Sequence, residues 1–330
     1  MERRFARAAR LVVLGGTLVM ALAMPAASMA SERIIFQSNQ DGNWEIYSMK
    51  PEGSEQTRLT SDPAEEGDAR LSPDGSKIAF YSNRGGSFNL WVMNWDGSEQ
   101  RQLTTLGGGR CFGLSWSPDG SKILFQQTPG ISDMDGADIW VVNSDGTNPT
   151  QLTWTGLAES TPDCSPDGTK IAYAAFSPYD KYTSDIYVMN ADGTDARLLF
   201  GEYWSDWNPR WSPDGSTIIW EHWAQIWRMN SDGSNQVMLL DGEQLGICNR
   251  APNWSPDGMR IAFTRGSDAT GQFDIWTMNG DGSNQVQVAA ALGAALYPTD
   301  WGVVVPEPSS FATLACGLGG LCTMIRRRRR

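Results

Sequence analysis

The tetrapeptide Ser-Pro-Asp-Gly begins at Ser72, Ser117, Ser165, Ser212 and Ser255, in steps of 45, 48, 47 and 43 residues. A period of this length marks an array of like units, each burying its apolar face against its neighbours. A second signature follows every time, as NLWVMNWDGS, DIWVVNSDGT, DIYVMNADGT, QIWRMNSDGS and DIWTMNGDGS, and once earlier as EIYSMKPEGS at 45–54.

Each unit reads as four short strands. The first ends in Trp116, Trp211 or Trp254, and the second is a β-rich run such as KIAFYS, KILFQ or KIAYAAF. The Ile-aromatic-x-Met strand then leads through Asn-x-Asp-Gly into a last strand such as RQLT or TQLT. Proline presets φ at the second turn position, aspartate bonds back to the backbone, and glycine takes the left-handed conformation. Five Ser-Pro-Asp-Gly turns stand against six Ile-x-x-Met-type strands. Residues 33–60 supply the last three strands of one unit, and 297–305 supply its first strand, with Trp301 in the tryptophan slot. The expected fold is therefore all-β, a six-bladed β-propeller of four-stranded blades, closed by pairing the N- and C-terminal strands.

The flanks have a different composition. Residues 1–30 join a basic start, an apolar run over 11–23 and a small-residue exit at Ser28 and Ala30, the pattern of an exported leader cut after Ala30. The expected domains are a signal peptide at 1–30, a propeller at 31–305 and a terminal segment at 306–330. The ends carry net charges of +3 and +4, so the chain total of −12 becomes about −19 for the part between them. Such a body repels nucleic acid, which rewards clustered Lys and Arg. Only one histidine is present, and the three cysteines outside the tail are odd in number and not close-spaced, which excludes the usual Cys/His zinc site and a disulfide framework. Cys111 and Cys248 lie three blades apart, too far for a bridge.

The Trp-Ser-Pro-Asp-Gly, Lys-Ile-Ala-Phe and Ile-Tyr-Val-Met-Asn-x-Asp-Gly segments resemble the TolB-type propeller repeat over 33–305. That resemblance implies the WD-like six-bladed fold; a separate α/β domain, as in TolB itself, is not seen before it. Leu71 and Cys164 replace tryptophan in two blades, which makes Cys164 a core residue. The tail is similar to the Pro-Glu-Pro (PEP-CTERM) sorting signals: Pro306, Glu307 and Pro308, a short apolar segment, then Arg326 to Arg330. The similarity implies export in a Gram-negative bacterium and cleavage by an exosortase, after a signal peptidase at the other end. The alternative is a short membrane anchor, although the uncharged stretch 311–325 has 15 residues, below the ~20 of a spanning helix. A cell-surface or extracellular monomer is expected, with the periplasm as the alternative.

Strand alternation sorts the loops. Both repeated turn types fall on one face of the disc, and the loops of varied length and chemistry fall on the other, where binding residues concentrate. The candidate patch there is Tyr203, Trp204, Asp206 and Trp207, with Glu66, Asp68, Arg110, Glu159 and Arg250 around the channel mouth; aromatics beside carboxylates suit sugar rings. Packing of Trp204 and Trp207 between blades is the competing reading. Just before the tryptophan slot stand Arg70, Ser115, Asp163, Arg210, Asn253 and Asp300, which would pair Asp163 with Arg210 and Asp300 with Arg70 between blades. Asp133, Asp135 and Asp138 form a weak calcium candidate without the full loop spacing of an EF-hand, and Asp138 also stands where other repeats place Asp185 or Asp274.

Nucleophilic catalysis wants a histidine base, and His222 has no identifiable partner in the sequence. A pair of carboxylates would suffice for a glycoside hydrolase. The expectation is thus a non-catalytic propeller without a cofactor, binding protein or polysaccharide. A carbohydrate-active enzyme using channel-mouth carboxylates and a TolB-like envelope protein are the alternatives.

Overall fold

A computed structural model describes residues 30–107, 111–130, 136–176, 183–242, 246–291 and 293–305. These hold twenty-four strands in six four-stranded antiparallel sheets and no helix. Blade 6 takes β1 (Ser31–Ser38), β2 (Glu45–Met49) and β3 (Thr57–Arg58). Blade 1 follows with β4 (Glu66–Leu71), β5 (Lys77–Ser82), β6 (Asn89–Asn94) and β7 (Arg101–Gln102), and blade 2 with β8 (Cys111–Trp116), β9 (Lys122–Gln127), β10 (Asp138–Asn143) and β11 (Thr150–Gln151). Blade 3 is β12 (Glu159–Cys164), β13 (Lys170–Phe176), β14 (Ser184–Asn190) and β15 (Arg197–Phe200). Blade 4 is β16 (Asp206–Trp211), β17 (Thr217–His222), β18 (Gln225–Asn230) and β19 (Val237–Leu240). Blade 5 is β20 (Cys248–Trp254), β21 (Arg260–Ser267), β22 (Gln272–Asn279) and β23 (Val286–Ala289). The last strand, β24 (Leu296–Val304), joins β1 to complete blade 6, so the ring closes through the two termini as the repeat count requires.

The repeated turns do two jobs. In each Ser-Pro-Asp-Gly the aspartate accepts from its own serine and from the backbone two residues on, as Asp119 does from Ser117 Oγ at 2.6 Å and Ser121 N at 3.0 Å. This closes the hairpin locally. The Asn-x-Asp-Gly turn instead seats one blade on the preceding one. At Gly193, with φ +88°, an added Cβ would meet Leu152 O at 2.6 Å, so only glycine fits. The apolar core lies between blades; blades 3 and 4, for example, share Ile186, Phe200, Ile218 and Trp220.

The innermost strands carry bulges. In β4, β8, β12, β16 and β20 the pairing slips before the tryptophan slot, around left-handed residues Asp68, Gly113, Thr161, Asn208 and Ala251. A bulge bends its strand and re-aims neighbouring side chains. Side chains of adjacent blades then close the ring: Asp300 Oδ2 accepts from Leu71 N at 2.7 Å, and Asp163 Oδ2 from Trp211 N at 2.8 Å. Arg210 Nη1 lies 3.9 Å from Asp163, the expected pairing. Arg70 behaves differently. It bonds to Leu114 O in blade 2 at 3.0 Å and to Asn253 in blade 5 at 2.8 Å, and so ties blade 1 to two others. Cys164 packs with Leu124, Tyr173 and Met189, and burial pushes its thiol up to about 12, leaving it inert.

Candidate functional site

Several clefts open on the turn face. One of about 640 Å³ lies between blades 1 and 2, against Asp74, Lys77, Arg101 and Trp116. Smaller counterparts recur between blades 3 and 4 and between blades 4 and 5. Recurrence at equivalent turns marks them as products of the repeat geometry, not as a singular site.

The other face breaks the repeat at blade 4. The loop from β15 to β16 exposes Tyr203 (79 %) and Trp204 (41 %), and the two-residue turn from β17 to β18 exposes Trp223 (52 %). Their rings are contiguous: Tyr203 meets Trp204 edge-on at 5.6 Å between centroids, and Trp204 meets Trp223 at 5.1 Å. Beside this platform opens a cleft of about 370 Å³ bounded by Trp207, Asn208, Glu221, Trp223, Arg250 and Tyr297 from blades 4, 5 and 6. Its size is that of a small-ligand pocket, about 300–1,000 Å³.

The polar groups of the cleft are held by the bulges. Glu221 Oε2 accepts from Ala251 N at 3.1 Å and from Asn208 Nδ2 at 3.2 Å. Burial raises the Glu221 carboxyl to about 7, against those bonds and the attraction of Arg250. Arg250 is gripped by Asp268 through Nη1 and Nη2 at 2.9 and 2.6 Å, and its guanidinium covers the Phe273 ring at 5.4 Å.

The residues singled out from sequence separate into two groups. Tyr203, Trp204, Trp207 and Arg250 converge here, although Trp207 is half-buried and also packs edge-on against Phe176. The other acids serve the fold. Asp206 is fully buried, its Oδ1 taking Trp220 Nε1 and His222 Nδ1, both at 2.8 Å. Glu66 is buried beneath Arg84, whose Nε donates at 2.7 Å; Glu159 is held by Thr153 at 3.0 Å and by Thr155. Asp68 caps Leu114 N at 3.0 Å. These three lie on blades 1 and 3, away from the cleft. His222 does have a partner, but in the core, where it serves no nucleophile.

Asp138 opens β10, as its strand-start position suggests, and burial raises its carboxyl. Asp133, Asp135, Arg110 and Pro306, Glu307 and Pro308 lie outside the described residues. Among the described residues no group of three or more Cys, His, Asp or Glu side chains could hold a metal ion, and no helix is long and apolar enough to cross a membrane. Trp223, Glu221, Asn208 and Tyr297 were not singled out from sequence. Trp223 is signalled only by the shortness of its turn, and Glu221 only by comparison among blades.

An all-β ring of six four-stranded antiparallel sheets defines a β-propeller. Residues 20–135, about a third of the chain, match the family described as the Tricorn protease N-terminal beta propeller domain. No curated protein matches. Among solved structures, TolB from Acinetobacter baumannii is 15% identical with a TM-score of 0.69, over 84% of this chain and 67% of that one. A chain of a nidogen/laminin complex is 14% identical with a TM-score of 0.66, over 84% and 99%. An oligogalacturonate lyase in complex with manganese is 17% identical with a TM-score of 0.51, over 78% and 73%. At these identities the likeness shows the fold, that of a TolB-like propeller. The neighbours' unlike roles show how little the fold alone says of activity.

Proposed function

We propose that this chain is an exported, non-catalytic propeller that binds a polysaccharide through the variable face of blade 4. The observation that carries the reading is the contiguous Tyr203–Trp204–Trp223 surface. Most other tryptophans sit at repeat positions between blades, whereas these three rings face solvent in two loops that depart from the repeat. Flat aromatic faces stack on the apolar faces of sugar rings while the sugar's hydroxyls stay hydrated or bond to nearby polar groups. Trp204→Ala and Trp223→Ala are each expected to weaken binding on a glycan array and in affinity electrophoresis by about tenfold or more. Their unfolding transitions should match the parent's, since exposed side chains contribute little to stability. Release of new reducing ends from a bound glycan would replace this reading with that of a carbohydrate-active enzyme. The TolB-like fold supports an envelope role as a second reading, for which pull-down with Pal is the test.

Export belongs to the same proposal. Signal peptidase would cut after Ala30 and an exosortase near Pro306–Pro308, which places the propeller at the cell surface or in the matrix. The C-terminal mass of protein from native cells is expected to show loss of roughly the last two dozen residues by cleavage at this motif. Retention of the arginines would favour anchoring instead.

A further inference from the structure

The six blades provide an internal comparison. In the second strand of each, the residue after the central aromatic is Gln37, Tyr81, Gln126, Ala174, Glu221 or Thr264, all in one register against the third strand. Two of these do the same structural work. Gln37 Oε1 accepts the N–H of the next blade's bulge residue Asp68 at 2.9 Å, as Glu221 Oε2 accepts that of Ala251 at 3.1 Å. An amide oxygen is thus enough for the fold, and the carboxylate of Glu221 is surplus to it.

Its other oxygen, Oε1, borders the cleft and lies 3.7 Å from Arg250 Nε, beyond hydrogen-bond reach. Asp268 occupies the end-on fork of Arg250 by taking one N–H from each terminal nitrogen, and the Nε side of the guanidinium faces Glu221 itself. A carboxylate ligand would therefore meet the Glu221 carboxylate without an end-on guanidinium fork to take it. An ammonium at Oε1 would lie against the guanidinium. What suits an acceptor oxygen among Trp207, Trp223 and Tyr297 is an uncharged hydroxyl.

We propose that this cleft is the end subsite of the aromatic platform and takes one uncharged sugar residue, a hydroxyl of which donates to Glu221 Oε1. The proposal rests on the polysaccharide reading above. It makes the protein a receptor for neutral glycans that discriminates against uronic-acid chains, in keeping with the strong negative charge of the body.

Isothermal titration with cellohexaose, maltohexaose and hexagalacturonate tests it. The wild type should bind at least one neutral hexaose and prefer it to hexagalacturonate. Glu221→Gln keeps the bond to Ala251, on the precedent of Gln37, and should fold normally while losing about tenfold or more in affinity for the neutral hexaose. Asp268→Asn, a change at an exposed side chain, frees the Arg250 fork and should raise affinity for hexagalacturonate about tenfold; it decides the matter if Glu221→Gln does not fold. If Trp223→Ala abolishes binding but both of these variants behave as wild type, the subsite is overturned and the platform stands. Preference of the wild type for hexagalacturonate overturns it likewise. Absence of binding to every hexaose, and to longer glycans on the array, overturns the polysaccharide reading and the subsite with it.

Discussion

Replacing Asp206 with alanine is expected to destabilise the propeller by about 3–5 kcal/mol, the usual cost of removing one partner from a buried, hydrogen-bonded polar pair. Its Oδ1 is the shared acceptor for Trp220 Nε1 and His222 Nδ1, and all three residues are buried. Alanine would leave two ring nitrogens without that acceptor in the core between blades 3 and 4. Against a total stability of about 5–15 kcal/mol this is a large fraction, equivalent to a fall of roughly 6–20 °C in Tm. Asparagine should behave differently. Oδ2 has no partner, so the Asn amide oxygen can replace Oδ1 and the loss should stay within about 1 kcal/mol. Thermal melts of the two variants check the contrast. A harmless alanine would show that Asp206 faces solvent and belongs to the binding surface after all.

The second large effect concerns pH. Burial raises the carboxyls of Glu159, Asp163 and Glu221 to about 7 and that of Asp206 to about 6, and raises Glu66 and Asp300 as well. In the unfolded chain such groups titrate near 4. Between about pH 4 and 7 the folded protein therefore binds more protons than the unfolded one, and stability must fall as pH rises through that window. The turn aspartates act in the opposite sense. Hydrogen bonds from Ser117 and Ser121 hold Asp119 at about 2, and Asp167 and Asp145 are lowered by their own turn hydroxyls, so stability is lost again as pH drops below about 4. Tm measured from pH 3 to 9 should peak on the acid side, at about pH 4–5. Glu221→Gln should flatten the descent toward neutrality. A maximum at pH 7 or above would mean that the buried carboxyls ionise without penalty.

The legibility of the chain follows how local each determinant is. Blade count, turn positions and terminal closure were readable because Ser-Pro-Asp-Gly and Asn-x-Asp-Gly encode their turns within four residues. Tyr203 and Trp204 could be read as surface residues because they fall outside the repeat register. Asp206, two positions on, could not be told apart from them, since its burial depends on Trp220 and His222 across the sheet. Arg70 neighbours Asp300 and attracts it, but its direct bond to an amide two blades away was not legible, because the reach of a long guanidinium depends on the whole ring. Glu221 is ordinary in a list of acids and distinctive only once all six blades are laid in register. Tyr297, the farthest in sequence from the rest of the cleft, is brought there by ring closure alone.

That closure also fixes a direction. Val305 N bonds to Gly75 O, within the first Ser-Pro-Asp-Gly turn, while Tyr297 at the other end of the same strand borders the aromatic cleft. The chain therefore departs from the side of the disc opposite the platform. Any attachment made through the segment beyond Val305 would hold the disc by its back, like a dish on a mast, with the aromatic corner turned outward.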